Sequence, residues 1–205
     1  MIGSCFLKLM ISPPFLPLTM HSLHPDGYSL ISAGLDCRVK LWDIRMLSGD
    51  LRTGSGKSPK PIGYHNSGKS VNSAFFSPSG KYVASTTMAN KLDIYEDFHL
   101  EAPSLTSSAR EKHVKPTRSI RHDNMTGRWL TTFMANWHPS LDCFVVGSMR
   151  KPRCVEVFDG ASTGDCTTIR GEHLTAVASR CCFHPSEDRL TIVGGNSSGR
   201  VTVIR

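Results

Sequence analysis

One short stretch of this chain sets a cation beside an aromatic ring, and a second gathers cations alone. Thr126-Gly127-Arg128-Trp129 joins a guanidinium to an indole within the run from His122 to Pro139, and Ser148-Met149-Arg150-Lys151-Pro152-Arg153 packs three cations into four residues. Such cations attract phosphates, and an exposed indole can stack on a base or enter a distorted step. This is the chemistry of a nucleic-acid contact, and Arg200 joins the candidate set. A third motif, Trp42-Asp43-Ile44-Arg45, closes an apolar run with a planar fork that suits a partner's carboxylate or carbonyl groups. An Arg45 that is solvated, or bound within its own chain, is the competing reading.

Enzyme chemistry finds little support. No Ser-His-Asp set, metal-ligand spacing or phosphate loop occurs, so no cofactor, metal or small-molecule substrate is expected. His24, His138 and His184 each precede a proline and are expected to cap their own turns. The seven cysteines are odd in number and never spaced Cys-x-x-Cys, which argues against disulfides or a zinc ribbon and for a reducing compartment. Cys143, Cys154, Cys166, Cys181 and Cys182 read as small apolar packing. The apolar opening is broken by Pro13, Pro14 and Pro17 and falls short of the ~20 residues that span a bilayer. Residues 1–17 therefore read as an irregular remnant, with no membrane partner. The net charge of +7 favours an acidic partner.

Those motifs hang on a fourfold repeat. His24-Pro25-Asp26-Gly27, Ser77-Pro78-Ser79-Gly80, His138-Pro139 and His184-Pro185 each follow one apolar run and precede two more. The second of these ends in Trp42-Asp43, Tyr95-Glu96 or Phe158-Asp159 in three copies. A WD-type period of roughly 40 to 45 residues, stretched by insertions, predicts an all-β WD-repeat propeller with about four blades over 18–205. Expected strands are, for A, 18–23, 71–76, 132–137 and 176–183; for B, 28–33, 82–87, 143–148 and 190–194; for C, 38–43, 91–95, 154–158 and 200–204. Weaker D strands fall at 60–64, 117–121 and 166–170. The Ser-rich segment 98–116 is expected to be a flexible insertion. In WD repeats, the spacing of Ser32, Asp36 and Trp42 implies a shared buried hydrogen-bond network of structural purpose.

In such a disc the A–B and C–D turns emerge on one face and the D–A and B–C loops on the other. One face collects Asp26, Asp43, Asp50, Glu96, Asp97, Asp142, Asp159, Asp165, Glu187 and Asp188. The other collects Arg38, Lys69, Arg128, Arg150, Lys151, Arg153 and Arg200 against Asp36, Asp123 and Glu172. An acidic and a basic face follow, with 122–139 forming a D–A hairpin whose tip is Thr126 to Trp129.

From His122 to Pro139, through Val145-Val146-Gly147-Ser148-Met149, Pro152-Arg153 and Val155-Glu156-Val157-Phe158, to Gly194-Gly195-Asn196-Ser197-Ser198-Gly199-Arg200-Val201, the chain resembles the WD repeat-containing protein 76 family. More remotely it is similar to the small, lesion-reading subunit of the damage-specific DNA-binding complex. The resemblance implies a nuclear propeller of seven blades that binds DNA or chromatin, acts in DNA-damage responses and serves as a substrate receptor of a cullin-RING ubiquitin ligase. Trp42, Asp43 and Arg45 match the Trp-Asp-x-Arg signature of propellers that dock on the ligase adaptor, the large subunit of that complex. The Phe-Gln-His insertion tip of the lesion reader is replaced by Gly127-Arg128-Trp129, a departure from that probing mechanism. Four blades of an expected seven imply a partial product that folds poorly alone, with two open sheet edges. A general scaffold for peptides or histone tails, without DNA binding, is the alternative function.

Overall fold

Proline and glycine punctuate the chain into short antiparallel strands, and local side chains lock the turns between them. The computed structural model describes residues 18–47, 60–99, 112–127, 129–161, 163–185 and 190–205. In the first turn His24 Nδ1 accepts the Asp26 N–H at 3.0 Å, and Asp26 Oδ1 accepts those of Tyr28 and Ser29 at 2.7 and 2.9 Å. Gly27 supplies the left-handed residue, φ +76°, that a Cβ would disfavour. His138 Nδ1 caps the third turn in the same way, accepting from Ser140 and Leu141.

Four sheets result. The first holds β1 (Leu18–Leu23), β2 (Ser29–Gly34), β3 (Arg38–Asp43) and β4 (Gly63–Asn66), with a 3-10 turn at Ile44–Leu47 after β3. The second begins with β5 (Val71–Phe76), β6 (Tyr82–Thr87) and β7 (Lys91–Glu96). The chain then lays β8 (Lys112–His113) outside β4 before returning as β9 (Arg118–Arg121), the outer strand of the second sheet. The third sheet is β10 (Asn136–Trp137), β11 (Cys143–Gly147), β12 (Val155–Asp159) and β13 (Cys166–Ile169). The fourth has β14 (Arg180–Phe183), β15 (Ile192–Gly195) and β16 (Val201–Ile204).

Neighbouring blades touch through their first strands, β1 with β5, β5 with β10 and β10 with β14, so the A strands line the axis. The core lies between blades rather than within them. Ile31, Val39 and Leu41 meet Ala74, Phe76 and Tyr95 across the first seam. Leu92, Ile94 and Ile120 meet Phe133, Phe144 and Phe158 across the second, and Val145 and Val155 meet Cys181 and Ile192 across the third. Burial on both faces explains why β6 reads as an apolar and small-residue run without alternation, every residue of it buried. At the third seam Gly147 is a steric requirement, since a Cβ there would lie 2.0 Å from the Ala178 carbonyl oxygen.

Several expectations change. The inner strands of blades three and four are shorter than expected, 136–137 and 180–183, because Thr131 to Ala135 and Leu174 to Ser179 run irregularly into the seams. The described ends of the segment 98–116 are packed. Phe98 is buried and the His99 ring lies 4.3 Å from that of His24. At the other end β8 pairs in parallel with β4, Val114 is buried, and its carbonyl accepts from His65 Nδ1 at 2.9 Å. The outer edge of β4 needs partners, and Lys112 to Val114 provide them. Residues 100–111 lie outside the described residues, as do 1–17.

Candidate nucleic-acid interface

Antiparallel order within each sheet puts the B–C and D–A connections at one end and the A–B and C–D turns at the other. Links between blades carry this sidedness around the axis. Ser79 Oγ donates to Asp142 at 2.6 Å between A–B turns, whereas His122 of a D–A segment meets Glu156 below a B–C loop.

At the B–C and D–A end, the segment after β9 carries Trp129, which is 76% exposed. The segment is irregular rather than the expected hairpin, because Asn124 and Thr126 turn inward and are buried. Asn124 is the pin: its N–H donates to the Asn90 side chain, and its amide NH2 donates to the Thr87 and Lys91 carbonyls, each at 3.0 Å. Gly127, φ +69°, reverses the chain, and the indole of Trp129 lies over it. Arg128 lies outside the described residues. Beside this segment stands the loop between β11 and β12, in which Arg150 and Lys151 are exposed and the Lys151–Pro152 peptide is cis. Leu130 and Met149 pack against one apolar cluster and so tie the two loops together. Arg153 is half-buried and donates to the Met149 carbonyl at 3.0 Å, which stiffens the loop. Arg200 sits one blade further on, bound to Thr175 Oγ1 at 2.7 Å beside Glu172 and His173.

Beneath the basic loop lies a carboxylate that the charge pattern does not reveal. Glu156, two residues before Phe158 on β12, is 1% exposed and borders a cavity of about 400 Å³ with Arg121, His122, Asp123, Ser148, Met149 and Arg150. Its Oε2 is 3.1 Å from His122 Nε2, and its Oε1 is 3.0 Å from Arg150 Nη1 and 3.3 Å from Ser148 Oγ. Burial works to raise the Glu156 carboxyl. The His122 hydrogen bond and charge, with Arg150 and Ser148, outweigh it and hold the group below its ordinary value. The second blade has Asp93 at the same step, two residues before Tyr95, fully buried and bonded to Ser119. In both cases, alternation in a strand buried on both faces hides a charged residue that looks solvent-directed.

At the opposite end, Arg45 closes on its own chain. Its Nε reaches Asp43 Oδ1 at 3.0 Å and its Nη2 reaches Oδ2 at 2.7 Å, while the guanidinium lies 4.6 Å from the Tyr28 ring centre. The hydrogen bond from Arg45 lowers the Asp43 pKa against the opposing effect of burial. Arg45 still leaves over half its side chain exposed, next to exposed Tyr28 and Met46. Trp42 is buried, and its Nε1 donates to Ser32 Oγ at 2.8 Å, two members of the expected network. Asp36 departs from it. Its carboxylate accepts from the Arg38 N–H at 3.2 Å and pairs with Lys40 Nζ, its i+4 neighbour, at 2.6 Å.

The acidic face is less free than its sequence suggests. Asp26, Asp43, Glu96 and Asp142 are each engaged by neighbours. Asp50, Glu187 and Asp188 lie outside the described residues. Among the described residues no three His, Cys, Asp or Glu side chains converge as a metal site, and no helix is long and apolar enough to cross a membrane. Cys181 is buried, and burial pushes its thiol up to about 12, consistent with packing rather than reactivity.

Residues 18–43 match the family described as WD domain, G-beta repeat. With four seamed sheets around one axis, this decides the architecture. The chain is a WD-repeat β-propeller protein. This WD-repeat chain is homologous to "DNA damage-binding protein CMR1" of Chaetomium globosum, 34% identical over 88% of this chain and 34% of that protein. It is likewise homologous to "WD repeat-containing protein 76" of Xenopus laevis, 36% identical over 89% of this chain and 28% of that one, and of Mus musculus, 37% identical over 90% and 27%. The chain thus spans about a third of the length of the relatives it matches. Among solved structures it resembles Sqt1 of Chaetomium thermophilum, bound to the N-terminus of ribosomal protein L10. The TM-score is 0.61 at 18% identity, covering 91% of this chain and 46% of that one, a likeness of fold.

Proposed function

We propose that this chain is the DNA-binding portion of a non-enzymatic nuclear WD-repeat protein of the DNA-damage response. The observation that carries the reading is an indole exposed over three-quarters of its surface beside a stiffened loop holding Arg150, Lys151 and Arg153. The loop supplies phosphate contacts, with Arg200 extending the track one blade on. Trp129, with Arg128 next to it in sequence, supplies a stacking or wedge group for an unpaired or distorted step. The names borne by the CMR1 relatives favour DNA as the acidic partner over an acidic peptide.

Direct titration tests this. A labelled duplex bearing a central mismatch should bind the chain with a steep salt dependence, and Lys151→Ala with Arg153→Ala should weaken binding and flatten that slope by roughly one unit per lost phosphate contact. Competition by an acidic peptide with no retention of the duplex at physiological salt would point instead to the scaffold function.

Docking on a cullin-RING ligase adaptor is proposed for the other end, through Trp42, Asp43 and Arg45. Support comes from the shape of the corner: Asp43 and Tyr28 hold the guanidinium flat and outward, so little side-chain freedom is lost on docking. DNA and adaptor would then occupy opposite ends of the disc without mutual obstruction.

A further inference from the structure

The three cations of the loop between β11 and β12 differ in the partners that packing gives them. Lys151 is exposed and forms no ion pair among the described residues. Arg153 donates to the Met149 carbonyl, a dipole without net charge, so its guanidinium stays a full cation. Arg150 alone of the three meets a carboxylate among the described residues, its Nη1 lying 3.0 Å from Glu156 Oε1. Equal in sequence, the three are unequal as partners for a phosphate.

The hold on Arg150 is double. Its backbone N–H donates to Ser148 Oγ at 3.2 Å, and the Ser148 hydroxyl donates to the same Oε1 of Glu156 at 3.3 Å. Main chain and side chain of Arg150 thus converge on one buried oxygen, carried by a strand paired on both sides. The bond from Arg153 to the Met149 carbonyl closes the mouth of the loop above it. The His122 ring faces the other carboxylate oxygen, Oε2, and takes no part in this hold.

We propose that Arg150 is a positioning residue of the DNA-binding site, a strap that ties the loop to Glu156, while Lys151 and Arg153 supply the loop's phosphate contacts. This rests on the DNA-binding reading above. Drawing the guanidinium away to a phosphate would leave a buried anion without its charged partner, a strongly unfavourable state. A phosphate that instead approached the exposed edge of Arg150 would meet an ion pair whose carboxylate opposes it. Such a phosphate is not neutralised, so it keeps its condensed cations and adds nothing to the salt dependence. What the strap contributes is geometry: a loop already fixed loses less freedom when DNA binds.

Salt titrations of the 205-residue chain against a labelled duplex with a central mismatch separate a strap from a phosphate contact. Lys151→Ala should flatten the slope of log affinity against log salt by about one unit. Arg150→Ala should weaken binding about threefold to tenfold at every salt concentration and leave the slope at its wild-type value. Glu156→Gln keeps an oxygen for Ser148 and removes the charge, so the Arg150 guanidinium becomes an uncompensated cation and the slope should steepen by about one unit. A role in folding alone would move the melting temperature and neither of these quantities. Should Arg150→Ala fail to fold around its stranded carboxylate, the double variant Arg150→Ala with Glu156→Gln removes both charges and should show the same weakened binding at the wild-type slope.

A slope flattened by one unit in Arg150→Ala would make Arg150 a phosphate contact and overturn the strap. Unchanged affinity in that variant, or an unchanged slope in Glu156→Gln, overturns it equally while leaving DNA binding intact. No retention of the duplex by the wild type at any salt concentration removes the DNA-binding reading, and the strap's role with it.

Discussion

The indole of Trp129 lies on Gly127, close enough that a Cβ at 127 would come within 2.8 Å of the indole Cη2. The ring is thus both displayed and braced. Gly127→Ala should dislodge it, through that clash and through the left-handed φ, with no change of charge. Trp129→Ala should weaken binding to single-stranded or mismatched DNA by about 1–3 kcal/mol, the range of one base–aromatic stack, and leave the melting temperature nearly unchanged. Gly127→Ala should cost part of the same amount. Acrylamide quenching can follow the ring directly, because Trp42 is buried and Trp137 half-buried. Full DNA affinity in Trp129→Ala would remove the stacking role.

Arg45 offers a separable test at the far end. Arg45→Ala should abolish co-purification with the ligase adaptor while leaving DNA affinity near wild type, with a modest loss of thermal stability because Asp43, its partner, is buried. Tyr28→Ala should weaken the same association less, by freeing the guanidinium. Adaptor binding unchanged in Arg45→Ala would rule the corner out.

Acid stability should depend on the first turn. Burial opposes ionisation of Asp26, but hydrogen bonds from the Ser29 and Tyr28 N–H groups and the Ser29 hydroxyl, with the charge of His24, bring its pKa down to about 2. A depressed carboxylate stabilises the fold above its unfolded value near 3.9, and that contribution is lost as pH falls toward 2. Asp26→Asn should therefore lower stability at neutral pH and flatten the decline between about pH 4 and 2. Parallel urea midpoints across that window for both proteins provide the check.

Packing between blades three and four predicts a larger effect from a smaller change. Gly147→Ala must push the Ala178 backbone or the Phe133 ring aside, and overpacking of this kind costs about 1–3 kcal/mol. The loss should appear as a lower urea midpoint at unchanged m-value. Gly171→Ala, which meets nothing within 4 Å, is the control expected to behave as wild type.

Much of this architecture is written locally. The Pro-Gly turns, their capping side chains and the strands β1, β3, β5 and β6 stand where residue spacing puts them, because a turn and the period-2 strand that follows need only nearby atoms. The tandem repeat likewise implies stacked sheets, since one such sheet cannot bury both faces alone. The resemblance to the WD repeat-containing protein 76 family rests on runs equally visible in the chain. Contacts between distant segments were decided by the tertiary structure. Asp36 takes Lys40 rather than the Ser32–Trp42 pair through the exact path of one turn. Asn124 folds a supposed hairpin inward because carbonyls from another strand accept its amide, and β8 crosses to a neighbouring blade because β4 has an open edge. Glu156 becomes buried, and bound to His122 and Arg150, only when the third blade closes on the second. Composition and spacing can count a charge, but its partner follows from packing, where burial makes an unpaired carboxylate too costly to keep.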